Sequence, residues 1–288
     1  MLRIALFLGT NIAILMLLGV MFRLLGLEGI LAQNGVDLNL QALLIYSAVI
    51  GFSGAIISLL LSKFMAKKSM GVYVIEQPSN QVEQWLVSTV ARQAKQLNVG
   101  MPEVGIFDSS SPNAFATGWN RNNALVAVSS GLLDCMEKDE VEAVLAHEMS
   151  HVANGDMVTM TLVQGVLNTF VVFLSRIIGH VVDRVVFRVE RGHGPAFWIV
   201  SIVSEVILGI LATMIVMWFS RLREYRADAG AAKLVGSRSM ISALQRLRQF
   251  QGQQDMPDEM LALAINAGKL HALFASHPPL DKRIQALQ

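Results

Sequence analysis

The chain has 288 residues, with 23 Lys plus Arg against 22 Asp plus Glu, for a formal charge of +1. Only 16% of it is charged while 53% is hydrophobic, so part of it is not solvated by water and a purely soluble protein is excluded. The near-zero charge offers no field for a polyanion, which removes nucleic acid as a partner, and the single cysteine, Cys135, cannot close an internal disulfide, which excludes a stapled secreted domain.

Ile4 to Phe22 is an uncharged run, long enough at about 1.5 Å per residue to cross a hydrocarbon core of roughly 30 Å. It continues into Arg23, Leu24, Leu25 and Gly26 without a small-residue cleavage site, and is expected to be a retained membrane helix. Leu38 to Ser62 is a second such run, closed by Lys63, Lys67 and Lys68, a basic flank of the kind that stays in the cytoplasm. The water-facing stretch Phe64 to Asp156 follows. In it Val82, Leu86, Val90, Ala94 and Leu97 recur at a spacing near that of an amphipathic helix. Val104 to Phe107 and Ala124 to Ser129 read as short strands, with Asn113 to Trp119 between them and Asn120 to Asn123 as a turn, so a small sheet is expected. Glu137 to Val152 is the next helix, with Glu137, Asp139 and Glu140 placed where negative charge opposes the positive end of its dipole.

Met157 to Ser175 and Pro195 to Ser220 are two further candidate spans, the first carrying Gln164 and Asn168 and the second Glu205. Between them Arg176, His180, Arg184 and Arg188 recur every fourth residue, which predicts a helix continuing out of the third span with one basic stripe at the headgroups. His180, His193 and His271 have no partner spacing and read as surface residues. Arg221 to Gln288 is the second water-facing piece, and with 64–156 it would make one domain. Arg3, Lys63, Lys67, Lys68, Arg221, Arg223, Arg226 and Lys233 on one side outnumber Arg23, Arg176, Arg184, Arg188 and Arg191 on the other, a bias that places both termini inside.

His147, Glu148, Met149, Ser150 and His151 spell H-E-x-x-H. On a helix the i, i+4 spacing brings both imidazoles to one face about 6 Å apart, where two nitrogens can grip one metal. Zinc suits such a site because it takes neutral imidazole and carboxylate ligands at roughly 2 Å and leaves a fourth position for water. Glu148, rotated about 100° from His147, should not ligate but can serve as the general base. The bland alternative is a helix with polar residues on its wet face; the run Val141 to Ala146, a strong helix former, favours a rigid support for the histidines. A third protein ligand is missing, and the next acidic pair outside the apolar runs is Glu224 with Asp228, again i, i+4. Glu224 is expected on the metal and Asp228 on the free N–H of a ligating imidazole, against the alternative of a solvated charge network with Arg223 and Arg226. If His147, His151 and Glu224 share one ion, the chain between them crosses the bilayer an even number of times, and two candidate spans lie there. Asn154, Gly155 and Asp156 read as the end of the histidine helix and the cap of the next element.

These residues, together with Pro112 to Gly118, Ala143 to His151 and Ser276 to Leu280 ahead of Arg283, resemble the family of membrane zinc endoproteases that includes the bacterial heat-shock HtpX-type proteases and the CAAX prenyl-protein endopeptidases. The resemblance implies a mainly α membrane protein, with four transmembrane helices and a cytoplasmic α+β gluzincin-type domain with a small sheet. It implies one Zn2+ per chain on His147, His151 and Glu224, with Glu148 as general base and Asp228 behind the ligands. By the same resemblance Asn113, Ala114, Phe115 and Ala116 lie on an edge strand to which substrate backbone adds, and His277 and Arg283 polarise the scissile carbonyl or hold the oxyanion. Without it, Pro278 and Pro279 read as breaking a helix, with Arg283 solvated. The implied activity is hydrolysis of polypeptides, membrane proteins that are misfolded or damaged, on the cytoplasmic side of a bacterial inner membrane. The rivals are a non-catalytic, chaperone-like membrane assembly protein and an enzyme processing lipidated peptides; no feature selects a prenyl group, and none reports the oligomeric state.

Overall fold

The structure, a computed structural model, describes residues 38–190, 192–252 and 275–288. The expected first span at 4–22 lies outside them, as does His271. The chain divides into two compact units, one comprising residues through Ser58 with Thr159–Val216, the other Leu59–Val158 with Met217–Gln288.

The apolar runs form three helices, each of which lies partly in the first unit and partly in the second. Helix α1 spans Leu40–Met70, α5 spans Asp156–Val181, and α6 spans Pro195–Val235. Among the described residues these three helices, the second counted through Val186, are long and apolar enough to cross a membrane. Ile45, Val49 and Ile56 on α1 and Trp198, Ile202 and Val206 on α6 are exposed, as lipid-facing positions would be. Two helices come close where side chains are small: a Cβ on Gly51 would collide with the backbone and hydroxyl of Thr169, and one on Gly165 with the Phe52 ring. Arg176 faces Glu205 at 3.8 Å, so the carboxylate inside the expected fourth span has a partner.

The predicted basic stripe does not form. After Val181 the helix widens into a π turn, Val182–Val186, and Arg188 sits at φ 53. The cause is Asp183, which is buried and accepts hydrogen bonds from the Gly194 N–H at 2.8 Å and the Phe197 N–H at 3.2 Å, capping the start of α6. His180 and His193, expected to stand apart, meet at 3.2 Å between their Nε2 atoms.

The second unit is built on a four-stranded mixed sheet, β1 (Tyr73–Val74), β2 (Glu103–Phe107), β3 (Ala114–Asn120) and β4 (Asn123–Ser129), in the order β1-β2-β4-β3. Strands β2 and β4 run parallel and the other pairs antiparallel. The β3–β4 turn is tight because Asn120 Oδ1 accepts the Asn122 N–H, and Gly118, at φ +145, lies so close to Asn123 that a Cβ would strike its carbonyl. Helix α2 (Gln81–Leu97) is capped by the Asn80 side chain and buries Leu86, Val90 and Ala94 of the predicted stripe, while Leu97 is half-buried and Val82, in the first turn, is exposed. A short helix α3 (Ser130–Cys135) leads to α4 (Lys138–Asn154), and α7 (Ser237–Gly252) and α8 (Leu280–Leu287) complete the unit. Their shared core includes Val126, Val128, Leu145, Met149 and Leu244. Pro279 does not break a helix; it is the N-cap residue of α8, where a missing N–H costs nothing.

Helix α4 is fixed at its N-terminus by a capping box in which Glu137 and Glu140 exchange backbone and side-chain bonds. The Glu140 carboxylate also accepts from the Ser242 hydroxyl at 2.8 Å and the Arg246 guanidinium at 3.3 Å, tying α4 to α7. Burial alone would raise the Glu140 carboxyl, but Ser242, the Glu137 N–H and Arg246 together hold it below its ordinary value. A carboxyl depressed in the folded state stabilises above its unfolded pKa of about 4.3 and stops doing so as pH falls through the folded value. Glu140→Gln should therefore be less stable than the parent by about 1–3 kcal/mol at pH 7. The gap should close below pH of about 4, as read by denaturation midpoints in detergent across pH.

Candidate active site

Helix α4 carries His147, Glu148 and His151 on its second half, and α6 carries Glu224 and Asp228 one turn apart, so each contributes groups at i, i+4 spacing to one face. All lie in the second unit. His147 Nε2 and His151 Nε2 are 3.2 Å apart. Glu224 faces both, with Oε1 at 3.2 Å from His151 Nε2 and Oε2 at 3.4 Å from His147 Nε2. Among the described residues these three are the group whose donor atoms converge closely enough to hold a metal ion. The spacing fits one: ligands about 2.05 Å from a tetrahedral ion stand about 3.3 Å from each other.

The other ring nitrogens are also engaged. His147 Nδ1 lies 2.9 Å from Asp228 Oδ1, the arrangement expected from the sequence. His151 Nδ1 lies 2.6 Å from Asp156 Oδ2, a contact the capping role did not foresee. A neutral ring that gives its Nδ1–H to a carboxylate presents a bare lone pair at Nε2, so a metal ion there takes the place of the second proton. Burial pulls the pKa of His147 and His151 down, but Asp228 and Glu224 on the first, and Asp156 and Glu224 on the second, reverse this and push His151 up to about 9. Burial likewise opposes ionisation of Glu224, yet the facing imidazoles of His147, His151 and His277 hold it well below the usual carboxylate range.

From the C-terminal segment Arg283 reaches into the same cluster. It is buried and forks onto Asp228, with Nε at 2.8 Å from Oδ2 and Nη2 at 2.6 Å from Oδ1. Burial lowers the guanidinium pKa and Asp228 raises it further, for a net rise. Arg283 thus pairs chiefly with Asp228, with Nη1 3.4 Å from Glu224 Oε2, while His277, whose side chain is 62% exposed, lies 2.6 Å from Glu224. A cleft of about 720 Å³ lies over the cluster, lined by His147, Glu148, His277, Arg283, Asn113 and Ala114, with Leu132, Val144, Met240 and Leu244 forming an apolar wall. Strand β3 pairs with β4 alone among the described strands, so no described strand takes its other edge; Asn113 and Ala114 stand at its cleft end, and Phe115 and Ala116 follow along the strand.

Residues 80–288 match the sequence profile of peptidase family M48. The chain is 73% identical over 288 residues to a protein named Protease HtpX from Pseudoalteromonas atlantica, across 100% of this chain and 99% of that one. It is 62% identical over 289 residues to Protease HtpX of Thioalkalivibrio sulfidiphilus, across 99% and 98%. A crystal structure of S. mikatae Ste24p shares the fold, with a TM-score of 0.62 at 20% identity, covering 94% of this chain and 66% of that one.

Removing the buried Arg283 guanidinium strands two carboxylates without their cation. Arg283→Leu should lower stability by about 3–5 kcal/mol. Arg283→Lys should recover only part of it, because a point charge cannot fork onto a carboxylate; equilibrium denaturation in detergent reads both.

Proposed function

Because this chain belongs to peptidase family M48 and is a membrane metalloprotease, we propose that it is a zinc endopeptidase whose ion is held by His147 and His151 Nε2 and by Glu224. The observation that carries this is the mutual spacing of those donor atoms, 3.2–3.4 Å, with both Nδ1 atoms already bonded to carboxylates. The donor set of two neutral imidazoles and one carboxylate is the kind zinc takes while keeping a fourth position open. Bound there, the ion would supply a Lewis acid for the scissile carbonyl and would lower the pKa of an attacking water.

Glu148, half-buried on the cleft wall one residue beyond His147, takes the proton of that water and returns it to the leaving amine. His277 is the cleft-facing group able to donate a hydrogen bond to the carbonyl oxygen as charge develops. Arg283, forked onto Asp228, acts by holding Asp228 against His147. The edge of β3 away from β4, beginning at Asn113, Ala114, Phe115 and Ala116, accepts the extended substrate backbone by strand addition. The apolar wall beside the cluster takes a substrate side chain.

The domain plan we propose has spans at 4–22, 38–62, 157–175 and 195–220 and a protease domain made of 64–156 and 221–288. Three long apolar helices support it, and the Lys and Arg bias supports an inner-membrane protein with its site and termini in the cytoplasm. Substrates on this plan are membrane proteins with misfolded or damaged segments, whose unpaired backbone the β3 edge can bind.

Glu148→Gln should abolish cleavage of a model membrane protein by the reconstituted chain while leaving bound zinc unchanged by metal analysis. A chelator should abolish cleavage by the parent, and added zinc restore it. Cleavage by the variant at the parental rate would refute the role of Glu148.

A further inference from the structure

Asp156 stands five residues after His151, and on an unbroken helix that separation turns the two side chains about 140° apart. They meet because the chain does not continue straight. Gly155, at φ +69, takes the left-handed conformation that ends α4, its N–H bonding back to the carbonyls of His151 and Val152. The next residue opens α5, and after the break at Gly155 its carboxylate lies 2.6 Å from His151 Nδ1. Asp156 is buried there, 7% exposed, where an ionised carboxylate is costly without partners. Its second partner is Arg223, whose Nη1 lies 3.5 Å from the same oxygen and whose Nη2 donates to the Ser220 hydroxyl. Arg223 immediately precedes Glu224, so a closed circuit runs from His151 to Asp156, to Arg223, along one peptide to Glu224, and back to His151.

We propose that Asp156 is a positioning residue of the metal centre: by taking the Nδ1–H of His151 it fixes that ring's tautomer and aims Nε2 at the ion, as Asp228 does for His147. This rests on the zinc reading of the site. The two imidazoles are held alike by carboxylates from different helices, one a turn beyond Glu224 on α6 and the other the first residue of α5. The proposed role differs from a purely architectural one, in which Asp156 merely begins α5 in favourable dipole geometry and pairs with Arg223. An architectural residue affects folding with or without metal, whereas a positioning residue affects the ion.

The test uses the full chain in detergent micelles, with Glu148→Gln as the parent so that nothing is cleaved. Zinc affinity is measured by competition with a chelating dye, and the thermal midpoint of the metal-free protein is measured beside it. Asp156→Ala should weaken zinc binding by about 10–100-fold. Asp156→Asn, which keeps the shape and an acceptor oxygen but not the charge, should fall between Asp156→Ala and the parent. In cobalt-substituted protein Asp156→Ala should also shift the visible absorption bands that report ligand geometry. Zinc affinity and cobalt bands equal to the parent's in both variants, with only the metal-free thermal midpoint lowered, would overturn the proposal. A parent that binds no more zinc than His147→Ala would overturn the zinc reading itself and this inference with it, and that comparison tells the two failures apart.

Discussion

An imidazole has two nitrogens and can turn only one toward an ion, so a two-histidine site depends on what holds the other. Here a carboxylate occupies each Nδ1, leaving two Nε2 atoms aimed across a gap at Glu224. The same contacts explain how so much charge survives burial. Asp228 takes both arms of Arg283 and Asp156 faces Arg223, while Glu224 meets Arg283 only through one nitrogen at 3.4 Å. All three carboxylates around the histidines therefore have a guanidinium within 3.5 Å, but Asp228 and Glu224 share one, and at the ligand position we propose for Glu224 a divalent cation would complete the balance. Neutral imidazoles and one carboxylate do not suffice for a buried cluster by themselves; the surrounding charges make the geometry tolerable in a core.

How much of this was legible in the sequence follows from the range of each contact. H-E-x-x-H and the Glu224–Asp228 pair could be read because helical period brings i and i+4 together whatever the rest of the chain does. Asp228 against His147 followed from the chemistry of a ring with one nitrogen left over. Asp156 against His151 did not, because it depends on the left-handed break at Gly155, and the same letters read equally well as a plain cap. Arg283 and His277 lie more than fifty residues from Glu224, and no periodicity connects them; only the family resemblance pointed there.

The misread elements have equally local causes. Arg176, His180, Arg184 and Arg188 keep a four-residue spacing, but Asp183 between them is buried and accepts from the Gly194 and Phe197 amides at the start of α6, and there the helix gives way to a π turn. The uncharged run ending at Ser62 marks where apolar surface stops, not where a helix must, and α1 continues to Met70 with Lys63 and Lys67 both paired to Glu103 in the sheet. Strand β1, with two residues, is too short to carry an alternation. The central sheet was readable from short apolar runs bounded by turn residues, such as Ala124 to Ser129, and α2 from apolar residues near the helical period.

One continuous helix carries both the expected fourth span and two of the site's acids. Helix α6 runs 41 residues from Pro195 to Val235, about 60 Å at 1.5 Å per residue, and has no proline after its first position. About 30 Å suffices for a hydrocarbon core, so on the domain plan we propose roughly half of it would remain outside that core, and Glu224 and Asp228 fall in that half. A helix bends sharply only at identifiable features such as proline or a π bulge, and neither interrupts α6 between Ser220 and Asp228. The depth of Glu224 along α6 is therefore set by where the apolar run stops. A one-residue insertion between Ser220 and Glu224 would rotate the acid by about 100° away from the histidines. For this reason the boundary between apolar and polar sequence on α6 is itself part of the site's geometry.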